Sequence, residues 1–391
     1  METVAFLVQR VGPYHHARLC TWAALRPGAA KVIEFRPTDA VYAWTSVKAE
    51  GADLRQETHS GEELCRTLDE LQPQAVVCVG YADPEIHRAM AWALRRRVPL
   101  VTCSDSTHDD EPRFWAKEAF KCRIVAAFDA ALVAGSRAHD YLESLGLPMD
   151  RRFQPWDVVD NAHFERGADL ALANEPASRG RLKLPHRYFL CVARFVPKKN
   201  LLRLVEAYAR YAMQAGHEAW SLVVAGAGPL EPELRASVAA AGLKPQVHFP
   251  GVLQYHDLPA YYGLAGAFVL PSVSDQWGLV VNEAMAAGLP VLVSSRCGCA
   301  PDLVREGENG FTFDPKNVPQ LAELLTRLTQ PGEGRRAAMG QRSREIIKAF
   351  SPEAFAAGLE AAIACALDRP RARKPWLTHV LVNLLARRAP S

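Results

Sequence analysis

The chain has 391 residues, which predicts two domains of about 150 to 200 residues each rather than one core. Hydrophobic residues make up 49% of the sequence, charged residues 23%, and the formal net charge is +3. This balance is typical of a globular protein, and it favours neither a disordered chain nor a nucleic-acid partner. The nine scattered cysteines predict reduced thiols of a cytoplasmic protein rather than a metal site.

The first apolar run, residues 4–8, is short and is followed by Gln9 and Arg10 without a small-residue cleavage site. It therefore predicts a first β-strand and not a signal peptide. No uninterrupted apolar stretch approaches the roughly 18 to 20 residues that a membrane-spanning helix needs.

Short apolar runs then alternate with helical patterns, which predicts βαβ units and an α/β fold with two doubly wound, Rossmann-like parallel sheets. In the first half we expect strands at 4–8, 75–79, 99–103 and 130–134, and helices at 62–71, 84–97 and 113–127. In the second half we expect strands at 188–193, 222–225, 247–249, 267–270 and 291–294, and a helix at 201–211.

The segment 165–187 mixes Gly, Ala, Asn, Pro and Arg without a clean period, which predicts a linker with the domain boundary near residue 180. We expect an N-terminal domain over 1–175 and a C-terminal domain over 187–350. The final segment, 351–391, is expected to form helices that cross back to the N-terminal domain. Because doubly wound sheets bind ligands at the carboxyl ends of their strands, two facing domains predict a cleft with the active site.

The sharpest motif begins after the predicted strand that ends at Leu270. Its order is strand, loop, Gly278, helix, Gly-Pro and strand, which lets backbone amides approach an anion at a helix N-terminus. Asp275 in the loop and Glu283 inside the helix can hydrogen-bond different hydroxyls of one extended ligand. The alternative is structural, with Glu283 facing solvent and Asp275 capping the loop.

Two further segments support an anion site. Arg194 and Lys199 follow another strand and can converge on a diphosphate, the first as a bidentate fork and the second as a point charge. A solvated basic loop is the alternative interpretation. A third strand ends in a turn that contains Gly226 and Gly228, a feature that is common in α/β folds.

Residues 189–315 resemble the donor-binding domain of the retaining glycosyltransferase family 4, which has the GT-B fold. The motifs that carry this resemblance occur in the expected order: Arg194 with Lys199, then 226–229, 249–252, 275–280, 283–286 and 309–311. Their ordered co-occurrence over about one third of the chain is far more specific than any single motif.

The resemblance implies that Arg194 and Lys199 bind the donor diphosphate, Asp275 the transferred sugar, and Glu283 the ribose of the nucleotide. Asp275 stands where the family most often has Glu, which allows an altered donor preference. The other donor contacts that the resemblance implies are Gly12, Gly226, Gly228, Val252 and Leu253 beside the base, Gln276, Trp277, Gly278, Leu279 and Val280.

The first half resembles the acceptor domain of the family more loosely. Gly12 follows the first strand, where the family commonly has a glycine-rich loop near the donor phosphates. By spacing, Asp105 occupies the place of a family histidine near the donor sugar, and His108 lies three residues further on. Either residue can serve in catalysis, and loop caps are the alternative for both. Asp160 is interpreted as structural.

The expected function is retaining, metal-independent transfer of a hexose-type sugar from a nucleotide-diphosphate sugar, with no cofactor required. The donor base is expected to be uridine, with guanosine as the alternative. The acceptor is a hydroxyl of a glycan, a lipid-linked glycan or a small molecule. The sequence contains no Asp-x-Asp metal signature. Two rival functions stay open: a GT-B nucleotide-sugar epimerase or hydrolase, and a non-catalytic partner subunit.

The tail 369–391 is basic and apolar together. It is predicted either to lie on the anionic inner face of the membrane or to pack back on the first domain as a final helix.

Overall fold

The protein is described by a computed structural model in residues 2–35, 55–58, 60–330, 332–368 and 374–387. The chain forms two compact units, one of Met1–Val158 with Ser351–Ser391 and one of Val159–Phe350. Each unit contains a parallel β-sheet connected by helices. The predicted α/β class with two doubly wound sheets is therefore confirmed.

The first unit begins with alternating strands and helices. Its strands are β1 (Val4–Val8), β2 (Ala30–Glu34), β3 (Arg55–Glu57), β4 (Ala75–Val79), β5 (Leu100–Ser104), β6 (Ala130–Val133) and β7 (Arg152–Phe153). Its helices up to this point are α1 (Pro13–Leu25), α2 (Gly61–Leu71), α3 (Pro84–Arg96), α4 (Trp115–Val125) and α5 (Ser136–Ser144). Within the described residues these strands form one sheet in the order β3-β2-β1-β4-β5-β6-β7. The order switches direction between β1 and β4, the place where such sheets bind ligands.

Every residue of β1 is buried, as expected for a central strand that is covered on both faces of a parallel sheet. Helix α2 begins after Ser60, whose Oγ accepts a hydrogen bond from the Glu63 amide at 3.1 Å. This N-cap satisfies one of the amides that a helix start leaves without an intrahelical partner.

The second unit repeats the architecture. Its helices are α6 (Asn161–Ala173), α7 (Glu175–Leu182), α8 (Leu201–Ala215), α9 (Glu231–Ala240), α10 (Leu258–Gly263), α11 (Leu279–Ala286), α12 (Ala300–Leu303), α13 (Val318–Thr329) and α14 (Glu333–Ile347). Its strands are β8 (Tyr188–Val192), β9 (Ser221–Ala225), β10 (Val247–His248), β11 (Ala267–Leu270), β12 (Val291–Ser294) and β13 (Gly310–Phe313). In the part of the unit that the structure describes, their order is β10-β9-β8-β11-β12-β13, with the switch between β8 and β11.

The predicted linker over 165–187 and the boundary near residue 180 are wrong. The segment forms α6 and α7, and both helices belong to the second unit, which starts at Val159. Its glycine and alanine residues serve packing: a Cβ on Gly167 would lie 2.5 Å from the Cβ of Pro259, and one on Gly263 would lie 2.6 Å from the Cα of Ala168. Small residues allow α6 and α10 to approach closely, and the same composition resembles a linker in the sequence.

The last helices, α15 (Pro352–Asp368) and α16 (Trp376–Ala386), belong to the first unit. Helix α15 packs against α1, and α16 packs against α3. The carboxylate of Glu360 accepts hydrogen bonds from the Trp22 indole at 2.7 Å and from Arg26 Nε at 2.6 Å. The remaining residues of the predicted basic tail, 369–373 and 388–391, lie outside the described residues.

One helical stretch among the described residues, Glu333–Asp368, is long and apolar enough by composition to cross a membrane, and 44% of its most apolar window is buried. The stretch consists of α14 and α15, which belong to different units. Core helices of globular proteins pass the same test, so the stretch is weak evidence for a membrane span.

Candidate functional site

The loops after β8 and β11 lie at one edge of the second sheet, because the two strands are parallel neighbours. The amide of Val273 donates to the Lys198 carbonyl at 2.9 Å and joins the two loops. Asn200 has a positive φ of 58° and donates through Nδ2 to the carbonyls of Pro271 and Pro315 at 3.0 and 2.8 Å. The site thus stands at the switch point of the sheet, where ligands of doubly wound folds bind.

The side chains of Lys199 and Asp275 form an ion pair through Nζ and Oδ2. Each side chain is only 12% exposed. Ser272 Oγ donates to the same carboxylate oxygen at 3.1 Å. The cation predicted for the diphosphate and the acid predicted for the sugar are therefore brought together, and without a ligand they neutralise each other.

Arg194 lies at the start of the same loop, and its side chain is exposed. The next residue, Phe195, anchors this part of the loop because its amide donates to the Ala227 carbonyl at 2.8 Å. Arg194 thus has a fixed backbone and a guanidinium that solvent or an anion can reach.

The predicted glycine-rich turn packs directly on the Arg194 loop. Gly226 and Gly228 have φ values of 135° and 154°, which other residues rarely adopt. A Cβ on Gly226 would lie 1.9 Å from the Ala193 carbonyl oxygen, and one on Gly228 would lie 2.6 Å from the Phe195 carbonyl oxygen. Both glycines are therefore required by close backbone approach as well as by φ.

The Gly226 turn also contacts the loop that follows β10. The Gly226 amide donates to the Gly251 carbonyl at 2.8 Å. This hydrogen bond holds the backbone directly before Val252 and Leu253. The side chain of Val252 is 51% exposed. This is the place where the resemblance predicts contacts to the base.

Helix α11 begins after Gly278, as the sequence predicts, and Gly278 has a φ of 108°. The segment before it runs beside residues 297–299: the Gly298 amide donates to the Asp275 carbonyl at 2.9 Å. A Cβ on Gly298 would lie 1.7 Å from the Gln276 carbonyl oxygen. This pairing positions the Asp275 backbone, and the half-buried Leu279 and Val280 supply amides of the first helical turn.

The side chain of Trp277, one of the predicted donor-binding positions, is turned into the fold. Trp277 is 3% exposed, and its indole N–H donates to Asn282 Oδ1 at 2.9 Å. Its ring also packs against Phe350 at 5.5 Å between centroids. Trp277 thus fixes the turn into α11, while the neighbouring Gln276 side chain is exposed.

Glu283 neither faces solvent nor lies at a surface. Its side chain is fully buried, and Oε2 accepts a hydrogen bond from the Tyr262 hydroxyl at 2.6 Å. Burial, together with the charges of Asp160 and Glu283, raises the pKa of the nearby Tyr255. The structural alternative of a solvent-facing Glu283 is therefore wrong. Asp160 caps α6 by accepting from the His163 amide at 2.9 Å, in keeping with its structural interpretation.

In the first unit, the structure places the three predicted residues in loops or at a helix start. Gly12 caps the start of α1 with an ordinary φ of −88°, and nothing lies within 4 Å of an added Cβ. Asp105 follows β5, and its charge acts on the buried Arg18 guanidinium. The exposed His108 instead lies edge-on against the Tyr141 ring, with 4.9 Å between centroids. Asp105 and His108 thus have different surroundings.

The described residues contain no group of three or more His, Cys, Asp or Glu side chains that could hold a metal ion. Cys297 and Cys299, the closest pair in the sequence, are both fully buried. Burial raises the pKa of the Cys299 thiol well above its ordinary value.

Residues 177–346 match the family model described as glycosyl transferases group 1. The matched segment is less than half of the chain, and we call it the group 1 domain after this match. It contains the Lys199–Asp275 ion pair, the turn with Gly226 and Gly228, and helix α11. The family resemblance predicted from the sequence is therefore confirmed for this segment.

Curated relatives agree over part of their length. A GDP-mannose-dependent alpha-(1-6)-phosphatidylinositol monomannoside mannosyltransferase of Mycobacterium tuberculosis (strain CDC 1551 / Oshkosh) is 30% identical over 187 residues, which are 45% of this chain and 48% of that protein. The chain thus spans about half the length of this relative.

Solved structures agree over nearly the whole chain. A glycosyltransferase from Rickettsia africae ESF-5 has a TM-score of 0.73 at 15% identity, covering 94% of this chain and all of that one. Anabaena Alr3699/HepE, solved in complex with UDP and glucose, has a TM-score of 0.71 at 17% identity, covering 93% of this chain and all of that one. These likenesses confirm the predicted GT-B fold.

Three residues that build the site in the group 1 domain have no predicted role: Asn200, Ser272 and Tyr262. The role of Asn200 could have been predicted from its residue type. Asparagine tolerates the left-handed conformation better than most residues, and Asn200 adopts this conformation where the loop joins α8. For Ser272, the only indication in the sequence is its position three residues before Asp275. For Tyr262, the sequence contains no indication, because this residue lies 21 residues before its partner Glu283.

Proposed function

We propose that this chain is a retaining glycosyltransferase that moves a hexose-type sugar from a nucleotide-diphosphate sugar to a hydroxyl acceptor. The observation that carries the proposal is the Lys199–Asp275 ion pair at the switch point of the second sheet, beside the start of α11, which has no side-chain cap. A cation, an acid and free helix amides are the groups that a sugar diphosphate requires. The match of residues 177–346 to the group 1 family supports the same assignment.

The diphosphate is the part of the donor that the loop cations bind. Arg194 is exposed on a fixed backbone, and Lys199 is held beside Asp275 by their ion pair. Their charges and the amides after Gly278 stabilise the negative charge that develops on the leaving oxygen. The sugar C1–oxygen bond to the diphosphate breaks, the bond from C1 to the acceptor oxygen forms, and the departing phosphate takes the acceptor proton.

Donor binding exchanges partners within the site. Lys199 turns from Asp275 to the diphosphate, which leaves the Asp275 carboxylate able to accept hydrogen bonds from sugar hydroxyls. The Glu283 carboxylate accepts a hydrogen bond from a ribose hydroxyl. This buried carboxylate then either keeps the hydrogen bond from the Tyr262 hydroxyl as well or gives it up. The base lies beside Val252 and Leu253.

The donor base is uridine or guanosine. The Anabaena neighbour, solved with UDP and glucose, supports the first, and the mycobacterial relative, named for GDP-mannose, supports the second. The acceptor is a glycan, a lipid-linked glycan or a small-molecule hydroxyl, and the reaction proceeds in the cytoplasm without a metal ion or cofactor. In the first unit, Gly12 approaches the phosphates, and Asp105 or His108 contacts the donor sugar.

A panel of UDP- and GDP-sugars, screened by thermal shift, tests the proposal. A donor at about 100 times its Kd stabilises the folded protein by about 2.7 kcal/mol, which is readily measured. The stabilising donor is then labelled in its sugar and incubated with and without candidate acceptors. Transfer to an acceptor supports the proposal, release of free sugar or an epimer supports the rival enzymes, and no binding at all supports a non-catalytic partner subunit.

Adjacent lysines provide a matched pair of variants. Lys199→Ala is expected to weaken donor binding roughly 50- to 100-fold, because a charge-assisted contact to the diphosphate is lost. Lys198→Ala removes the same charge from an exposed neighbour that contributes only its carbonyl to the site. It is expected to bind the donor like the unmodified protein, and equal losses in both variants would contradict the assignment.

A further inference from the structure

Helix α16 of the first unit is apolar on two faces. One face, with Thr378, Val382 and Leu385, is buried, and Val382 and Leu385 join the core of that unit. The opposite face exposes Leu377, Val380 and Leu384 by 42%, 46% and 56%. A helix that is apolar all round is normally buried or in contact with lipid.

Helix α4 packs against α16 and is also apolar where it is exposed. Phe114 directly before it, Trp115 at its start and Phe120 are 63%, 79% and 38% exposed. Trp376 at the start of α16 is 71% exposed. We call the exposed side chains of these two helices the α4–α16 surface.

The apolar exposure is concentrated rather than scattered. Among the described residues thirteen large apolar side chains are exposed, and seven of them belong to the α4–α16 surface. Single exposed apolar residues are normal on a protein, but such a concentration on two adjacent helices marks an interaction surface.

The charges of the surface indicate its partner. The segment from Lys374 to Arg387 contains no acidic residue and has a basic residue at each end. Lys374 pairs with Asp129 at 2.6 Å, so Arg387 supplies the positive charge of this segment. Helix α3 adds Arg88, whose Nε donates to the Ala386 carbonyl at 3.2 Å, and Arg95, whose Nη1 donates to Asn383 Oδ1 at 3.2 Å.

Helix α4 adds further positive charge, with three basic residues and one acidic residue, Glu118. Of the basic residues, Lys117 pairs with Glu111 and Lys121 pairs with Glu118, so the exposed Arg123 supplies the positive charge that α4 adds. Exposed tryptophans beside basic side chains suit the headgroup region of a bilayer, where the rings insert and the cations meet phosphates.

We infer that the α4–α16 surface docks the first unit on an anionic lipid bilayer. The inference goes beyond donor binding, because none of its residues belongs to the group 1 domain. It also extends the expectation for residues 369–391 to α4, which lies more than 240 residues earlier in the chain. An acidic protein partner or a second copy of the chain would need the same apolar residues but not a bilayer.

Co-sedimentation of the full chain with vesicles tests the inference. Vesicles of phosphatidylcholine with roughly one third phosphatidylglycerol are expected to bind the protein, and pure phosphatidylcholine vesicles much less. Trp115→Ser and Trp376→Ser are each expected to weaken binding to the anionic vesicles about tenfold, since each removes one large ring from the interface. Met213→Ser, at an 80% exposed apolar residue of the second unit, is the matched control and is expected to bind normally.

Three results would overturn the inference: no sedimentation with anionic vesicles, equal sedimentation with neutral ones, or unchanged binding by both tryptophan variants. Loss of a vesicle-free dimer in the tryptophan variants, with vesicle binding intact, would assign the surface to a second copy instead. Thermal stabilisation by the nucleotide sugar is measured on the same variants and is expected to be unchanged. Failure of membrane docking is thereby separated from failure of donor binding.

Discussion

The two sheets have the same doubly wound order but differ at their switch points. In the second unit, the switch between β8 and β11 carries the Lys199–Asp275 pair and an exposed Arg194. In the first unit, the helix that follows β1 carries a cation, Arg18, that is 2% exposed. One edge thus presents charge to a ligand, whereas the other holds its charge inside the fold.

Arg18 is compensated by its own unit. Its Nη1 donates to the Trp156 carbonyl at 3.0 Å and lies 3.8 Å from Asp157, and the guanidinium stands 4.4 Å above the Trp156 ring. Burial lowers the pKa of Arg18, while the nearby Asp157 and Asp105 raise it. The comparison teaches that equal topology does not imply equal charge placement: the second edge has a reachable Arg194, whereas the first unit balances Arg18 inside the fold.

Gly226 and Gly12 provide the strongest test of this difference, because each follows the carboxyl end of a strand. Gly226→Ala is expected to destabilise the protein by about 3 kcal/mol or more and to abolish donor binding, since the new Cβ meets the Ala193 carbonyl at 1.9 Å with a φ of 135°. Gly12→Ala is expected to cost about 0.5 kcal/mol, because its Cβ enters open space at a helix start. Urea unfolding and donor thermal shift measure both effects.

The same pair can also break the comparison. A stable Gly12→Ala protein that binds the donor but has lost transfer activity would show that the first edge contacts the donor phosphates. In that case, the resemblance would be the better guide for Gly12, and the open space around it would be room for the ligand. A stable, donor-binding Gly226→Ala protein would contradict the tight approach of the two loops.

Local patterns in the sequence predict what depends on neighbouring residues. The predicted strands follow from continuous apolar runs. The start of α11 follows from Gly278, because glycine adopts a positive φ readily. Strands β2, β3, β7 and β13 are not predicted from the sequence, and they pair at or near the sheet edges. Charged or polar residues interrupt the apolar run in these four strands, so no continuous apolar pattern marks them.

Long-range partners determine what the sequence does not predict at the site. The motif identifies Trp277 and Glu283, but their burial depends on Phe350 and Tyr262, which no local pattern relates to them. The predicted linker fails for a similar reason, since the role of Gly167 depends on a contact with Pro259. The residue type and its local motif therefore indicate that a position has a specific role. The packing around the position determines whether the residue is available to a ligand or contacts another helix.

Tyr262→Phe sharpens the assignment of Glu283 to the binding edge. The variant removes the hydroxyl that donates to a fully buried carboxylate, so we expect a loss of about 2 kcal/mol in the free energy of unfolding. Tyr188→Phe is the matched control, because its buried hydroxyl donates at 2.6 Å to a neutral carbonyl, that of Tyr261. It is expected to cost about 1 kcal/mol.

Donor affinity separates two roles of Glu283 in the same variants. If Glu283 binds the ribose, Tyr262→Phe changes the donor Kd while Tyr188→Phe leaves it unchanged, as titration calorimetry would measure. An unchanged Kd in both variants, together with the expected loss of stability, would assign Glu283 to the fold alone. The second edge would then bind the donor without a ribose contact from this residue.

His15 tests the internal charge balance of the first edge. Burial and the positive charge of Arg18 lower its pKa to about 3, against 6.5 in the unfolded chain. Because the unfolded state binds the proton more tightly, the stability that neutral His15 allows is present above pH 6.5 and is lost as the pH falls towards 3. At pH 6 the loss is about 0.8 kcal/mol relative to pH values well above 6.5, and His15→Asn is expected to lack it in urea unfolding. His248→Asn, in the second unit, is the control, since burial alone lowers the pKa of His248. If His15→Asn loses as much stability between pH 7.5 and pH 6 as the unmodified protein, the pKa of His15 is not lowered in the folded protein, and the contrast between the two edges fails at this residue.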